Sequence, residues 1–331
     1  MGKSEVKKFN FGEFYTRFGT FLLLVIIFLG ASFFVPGFFG RENLTNIMRQ
    51  IAVVVVLAFG VEFVIVLGHI NVALGSEIAL IGCISCMVMV GTQDTLGTAG
   101  ALVVSIVVSL AVGVGIGAIN GFVITKFNIP AFIMTLGVTE CAKGTVLLLT
   151  GGQSVSGMAD NFKFLGQGYI FNVIPVSVIV MLLVFAICWI LLNKCKFGRH
   201  LFAVGGNSNA AEASGIKTKN IVRKAFIIDG ICAAIAGILF MSRMGAGQPS
   251  AGVTYEFKAI TACVVGGTSL SGGSGTLVGT LIGAIIVGII ENAQTLLGIN
   301  TYWQQIVRGL IILIAVIIDV VTKRATAKAK L

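Results

Sequence analysis

A hydrocarbon core about 30 Å thick takes roughly 20 residues of α-helix to cross, and this chain supplies such apolar runs one after another. They fall at about 18–36, 48–67, 72–90, 100–124, 129–149, 170–192, 222–242, 257–270, 275–297 and 302–321, which makes ten candidate spans. The eighth is short and Gly-rich, as a broken or re-entrant segment is. Lipid leaves no water for unpaired backbone groups, so a chain built this way is expected to fold as an all-α polytopic membrane protein. Charge scarcity agrees: 11% of residues are charged, where about a quarter is usual for a soluble domain. The 43 glycines suit closely packed spans with sharply turned points.

The net charge of +10 does not point to nucleic acid, because the basic residues sit at the ends of apolar runs without interleaved aromatics. They report orientation instead. Lys3, Lys7, Lys8 and Arg17 precede the first run, and Lys126 follows the fourth. Lys194, Lys196, Arg199, Lys217, Lys219, Arg223 and Lys224 crowd the region 193–224, and Lys323, Arg324, Lys328 and Lys330 follow the last run. The other side holds Arg41, Arg49, Lys163, Arg243 and Lys258. Both termini and the 193–224 loop are therefore expected in the cytoplasm. Three parts follow: a cytoplasmic segment 1–17, a membrane domain 18–321 and a basic tail 322–331. The first run ends in Val35-Pro-Gly-Phe-Phe-Gly40 rather than a small-residue cleavage site, so it is expected to stay as an anchor.

Gly113-x3-Gly117-Ala118-x2-Gly121 in the fourth run echoes Gly279-x3-Gly283-Ala284-x3-Gly288 in the ninth, each before a short Asn/Ile hinge. Runs two to five then correspond to seven to ten, and the orientation makes this an inverted repeat, a common transporter plan. Backbone breaks fall near Asn71 and Gly75-Ser76-Glu77 in one half and at 266–273, including Thr268 and Ser269, in the other. Such breaks serve a pathway or merely tight turning.

Charged groups inside spans are costly and need partners or water. They are Glu62, Glu77, Glu140, Lys143, Asp229, Glu291 and Arg308. Glu140 and Lys143 share a helix face, and a structural ion pair is their simpler reading. Asn71, Ser76, Glu77, Glu140, Thr268, Ser269, Asn292, Gln294 and Trp303 form the candidate pathway lining, whose hydroxyls and amides suit a neutral polar cargo. Nothing performs covalent catalysis. His69 and His200 have no partner at metal-ligand spacing, and Cys83-Ile-Ser-Cys86 lies in an apolar run without polar company. Gly113-Val-Gly-Ile-Gly117 follows no strand, which excludes a dinucleotide fold. No Gly-x4-Gly-Lys-Ser/Thr is present, so ATP-driven work would need a second polypeptide and no cofactor or metal is expected in this chain.

The loop 193–224 is the longest wet segment. Gly205-Gly206 permits a turn, Asn207 or Asn209 can cap a short helix over 210–214, and Gly215 can end it. A knob parallel to the membrane and an ordinary solvated loop both fit.

Phe197-Gly-Arg199, Ala203-Val-Gly-Gly-Asn207, Ala210-Ala211 and Ser214-Gly-Ile216 resemble the cytoplasmic signature of the ribose-type permease subunits of bacterial ATP-binding-cassette importers. Pro130-Ala-Phe-Ile-Met-Thr-Leu-Gly137, Gly247-Gln-Pro-Ser-Ala-Gly252, Tyr255-Glu-Phe-Lys-Ala-Ile260, 264–273 and 275–280 extend the resemblance over about residues 40–320. It implies a subunit of the bacterial cytoplasmic (inner) membrane that imports a monosaccharide. The second permease subunit would be identical or similar, ATP and magnesium would reside in a separate cytoplasmic ATPase, and an extracytoplasmic sugar-binding protein would deliver cargo. Gly198, Arg199, Gly205, Gly206, Asn207, Ala210, Ala211, Ser214 and Gly215 would then couple to the ATPase. The family usually reads Gly-Gly-Ile-Asp-Leu-Ser-Val-Gly-Ser where this chain has Gly68-His-Ile-Asn-Val-Ala-Leu-Gly-Ser76, so Asn71 stands in place of an acid. A nucleoside or furanosyl signal molecule is the alternative cargo, and a secondary transporter the alternative class.

Overall fold

The computed structural model describes residues 11–171 and 173–328. Lys3, Lys7, Lys8 and Lys330, used above for orientation, lie outside the described residues. Helix α1 spans Phe11–Phe34, α2 Arg41–Val66, α3 Leu74–Phe127, α4 Ala131–Thr150 and α5 Asp160–Gln167. A two-residue hairpin follows, β1 Tyr169–Ile170 paired antiparallel with β2 Ile174–Pro175. Then come α6 Val176–Asn193, α7 Lys196–Gly206, α8 Ser208–Ala213, α9 Thr218–Met244, α10 Tyr255–Val265, α11 Leu277–Leu296 and α12 Thr301–Lys328. Six of these, α2, α3, α4, α6, α9 and α11, are long and apolar enough to cross a membrane.

Several boundaries depart from the sequence reading. The third and fourth runs form one 54-residue element without a loop, broken only at Gly97, where φ 69° and ψ 164° turn the chain in a single residue. The sixth run begins at Val176, because Tyr169–Ile170 and Ile174–Pro175 pair as strands ahead of it. The eighth contracts to the 11 residues of α10, about 16 Å at 1.5 Å per residue and half a span. The flanks do not separate from the membrane helices: α1 takes in residues 11–17 and α12 runs to Lys328. Local chemistry explains the clean stops. Asn128 adopts the left-handed conformation (φ 53°) ahead of Pro130, which disfavours helix at Ile129. Gly245, at φ 70°, ends α9 with its N–H on the Met241 carbonyl.

Two helices form the centre. Every residue of α2 from Ile51 to Val66 is buried, as befits a helix apolar on all sides, and α9 is buried nearly throughout from Ala225 to Ser242. They cross where Gly60 lies against Asp229 and Cys232. Each collects two partners from the other half of the chain. The first part of α3 runs parallel to α9, Ile78 packing on Gly237 and Gly82 on Met241, and its second part returns antiparallel, Gly113 on Gly230 and Gly117 on Phe226. On α2, α10 runs parallel, Cys263 donating to the Ala58 carbonyl and Thr268 just beyond it meeting Glu62. Helix α11 then runs antiparallel to α2, Thr280 on Glu62 and Gly288 on Ile51. Gly60 lies against Asp229 and Cys232, and His69, just past the end of α2, lies beside Phe226 nearer the start of α9, so the two central helices run oppositely.

That exchange is the inverted repeat, but it is not carried by the glycine echo that suggests it. Gly113 and Gly117 pack on α9, the first helix of the opposite half, whereas Gly279 and Gly283 pack on Gly266 and Ala262 within their own half. The pair that marks the pseudo-twofold is Gly75 and Gly252. They lie at and just before the starts of α3 and α10, the corresponding helices of the two halves, and a β-carbon on either would collide with the carbonyl oxygen of the other. Since Ile78 sits on Gly237, α3 begins roughly ten residues, or about 15 Å, beyond Lys224 on α9. That is near the middle of a 30 Å core.

Candidate functional site

Segment 67–73 runs without helix from the end of α2 to that mid-depth start of α3. Extended backbone at such depth survives only where protein satisfies it, and α4 does so. Thr135 Oγ1 accepts from the Val72 N–H at 3.2 Å and donates to the Ile70 carbonyl at 3.4 Å; Thr139 Oγ1 donates to the Val72 carbonyl at 3.2 Å. These threonines are four apart on the buried face of α4. Asn71 closes the segment: its Oδ1 accepts from the Ala73 N–H at 2.9 Å and its Nδ2 donates to Asp229 Oδ2 at 2.7 Å. Glu77 lies beside this pair and accepts from Asn120 Nδ2 at 3.4 Å. All four are about 1% exposed.

The break between α10 and α11 has its own acid. Glu62, fully buried, accepts from Thr268 Oγ1 at 2.8 Å and from Thr280 Oγ1 at 2.7 Å. One turn later on α2, the Val66 carbonyl accepts from the Gly273 N–H at 2.9 Å. Gly205 of α7 presses on that same carbonyl, leaving no room for a β-carbon, and Gly272 packs between Gly205 and Gly68. The helix after 193 thus meets the end of α2 and the second broken segment, which itself lies on Gly68 of the first, main chain against main chain.

The α7–α8 pair is built by caps. Asn207 Oδ1 accepts from the Ala210 N–H at 3.0 Å. At the other end Gly215 (φ 83°) donates to the Glu212 carbonyl and Ile216 to the Ala211 carbonyl, a Schellman closure. Gly205 and Gly206 make no turn: both are helical, and Gly205 supplies close approach while a β-carbon at Gly206 would meet nothing within 4 Å. Gly198 is buried against the Leu192 carbonyl, and Ala211 is buried. Arg199, Ala210 and Ser214 face outward.

The remaining candidates scatter. Ser76 and Ser269 are buried, the latter 3.3 Å from Ser271 between hydroxyl oxygens. Asn292 exchanges amide bonds with Asn43 at 2.7 and 3.1 Å. Gln294 is buried near the end of α11, and Trp303 is 62% exposed at the start of α12. Glu140 pairs with Lys143 at 3.1 Å on the outward face of α4. A second charged centre forms around Glu291, which takes Lys258 at 2.7 Å, Arg308 at 2.8 Å and Gln50 at 3.3 Å. The roles of Glu62, Asp229 and Thr280 escape sequence reasoning because their partners lie more than 150 residues away. The one available signal is an acid inside an apolar run.

Broken helices meeting at mid-depth, each held by a buried polar cluster, are the architecture of a transport protein. Comparison with known families agrees: residues 43–316 match the model described as a branched-chain amino acid transport system / permease component. The chain belongs to this permease family. It is therefore a multi-pass membrane transport component, not an enzyme. It is 39% identical over 323 residues to a ribose import permease protein of Haemophilus influenzae, covering 96% of this chain and 98% of that one. Similarity to the D-allose transport system permease protein of Escherichia coli is 35% over 317 residues, 96% and 95% of the two chains. An autoinducer 2 import system permease protein of Yersinia enterocolitica is 36% identical over 304 residues, 92% and 82% of the two chains. No solved structure matches.

Proposed function

We propose that the chain is the permease subunit of an ATP-driven importer for a ribose-type monosaccharide, and that α7–α8 is where a cytoplasmic ATPase acts. The observation that carries this reading is the junction at Val66, where Gly205 of α7 abuts the end of α2 and Gly273 of the second broken segment, and Gly272 lies in turn against Gly68 of the first. A push on α7 there reaches the α2–α3 and α10–α11 breaks without an intervening side chain. The names of the relatives, ribose and D-allose import, support the cargo class; the autoinducer 2 relative keeps a furanosyl signal molecule as the second reading. Cargo selection belongs to an extracytoplasmic binding protein docking near 150–168 and 243–256.

The exposed face of α4 supports a second permease subunit. Its Glu140–Lys143 pair stands exposed near the helix midpoint, a place where lipid is a poor neighbour for charge. A second copy across this face would cover the pair and enclose a polar path. Reconstitution in liposomes with a cognate ATPase and binding protein, followed by labelled ribose uptake, tests the proposal. Uptake requiring ATP and both partners is expected, whereas ion-driven uptake without the ATPase would overturn it.

A further inference from the structure

Two buried acids in the core have no role in the reading above. Glu62 and Asp229 lie on the two central helices, and among the described residues neither carboxyl is within ion-pair distance of a basic group. Burying such groups costs stability, and apolar side chains of the same size would pack the two helices more cheaply. What an acid supplies that an apolar group does not is direction. A carboxyl can hold two donors at once in fixed geometry, while apolar surfaces slide. Each acid holds one break. Glu62 ties Thr268 and the first turn of α11, at Thr280, to α2 one turn before the Val66 junction. Asp229 ties Asn71, in the other broken segment, to α9.

We propose that Glu62 and Asp229 are positioning residues of energy coupling: they fasten the two broken segments, one to α2 and one to α9, so that displacement of α7 moves helices rather than loops. This rests on the coupling reading of α7–α8. Segment 67–73 is held at both ends, at Gly68 by the junction and at Asn71 by Asp229. The 266–276 segment is held likewise, at Gly273 by Val66 and at Thr268 by Glu62. Without the acid, each segment keeps its place at the junction and loses its grip on the helix it should carry. Asp229 Oδ1 has no partner in this conformation, which leaves an acceptor for a different donor once the segment has moved.

The test uses the whole importer in liposomes, reading ATP hydrolysis and ribose uptake side by side. Glu62→Leu is expected to assemble and hydrolyse ATP while solute carried per ATP falls at least about tenfold, the effect of losing roughly one carboxylate-type hydrogen bond. Glu62→Gln, which keeps an acceptor for the threonines, should restore the ratio to within about twofold. Asp229→Leu and Asp229→Asn should behave as the same kind of pair. A Leu variant with an unchanged ratio overturns the proposal, as does a parallel fall in hydrolysis and uptake or failure of the amide to rescue. The underlying reading fails separately: Gly205→Ala with wild-type coupling would dismiss α7 as the input, whatever the acids do.

Discussion

Asn71 Nδ2 and Asp229 Oδ2 are 2.7 Å apart, and the amide at 71 donates to that carboxyl while its Oδ1 accepts from the Ala73 N–H, which an ionised acid there could not do. The family's usual acid at this position would place a third carboxyl beside Asp229 and Glu77, in a site where all are buried. In this chain the amide at 71 and the acid at 229 form one buried pair.

Asn71→Asp is accordingly expected to lower the melting temperature in detergent and the yield of folded protein, at a cost of about 3 kcal/mol or more for an uncompensated buried charge. The exchange Asn71→Asp/Asp229→Asn restores one acid and one amide, and should recover most of the loss. A double variant as unstable as the single one would show that the two side chains do not act as a pair.

Glu291 neutralises two cations. Glu291→Gln leaves Lys258 and Arg308 facing each other with 11% and 14% side-chain exposure, and a loss of about 3–5 kcal/mol is expected. Adding Lys258→Met removes one stranded charge and should regain part of it. Thermal unfolding of the two variants decides the matter.

The junction at Val66 predicts a sharp contrast between neighbours. Gly205→Ala puts a methyl into the Val66 carbonyl and should abolish coupled uptake, whereas Gly206→Ala meets nothing within 4 Å and should leave uptake near wild type. Uptake assays on both, normalised to membrane-inserted protein, provide the comparison.

Cys141 adjoins Glu140 on the exposed face of α4. If that face meets a second copy, mild oxidation of membranes should yield a covalent dimer on a non-reducing gel, and Cys141→Ser should abolish it. A monomer band unchanged by oxidant, with uptake intact, would argue that α4 faces something else.

The sequence alone makes the apolar runs legible because lipid imposes one period and one length, and it reveals the α8 caps because Asn207 and Gly215 act on backbone within a few residues. The shortened eighth run also shows in its glycines. What escapes is everything set by partners distant in the chain: Glu62 with Thr280, Asn71 with Asp229, Gly75 with Gly252. A hydrogen bond spanning 218 positions leaves no local trace. The glycine echo misleads for the same reason, since spacing shows that a helix face is smooth and not which helix lies on it. At Gly205-Gly206 composition suggests a bend, while the chain uses one of the two for proximity.

The Val66 junction is made of peptide groups, and every sequence has peptide groups. Provided the few glycines that clear the space persist, the side chains lining the route beyond can change without disturbing how force enters. Under the proposed coupling, such a linkage would let one motor serve carriers whose interiors suit different solutes.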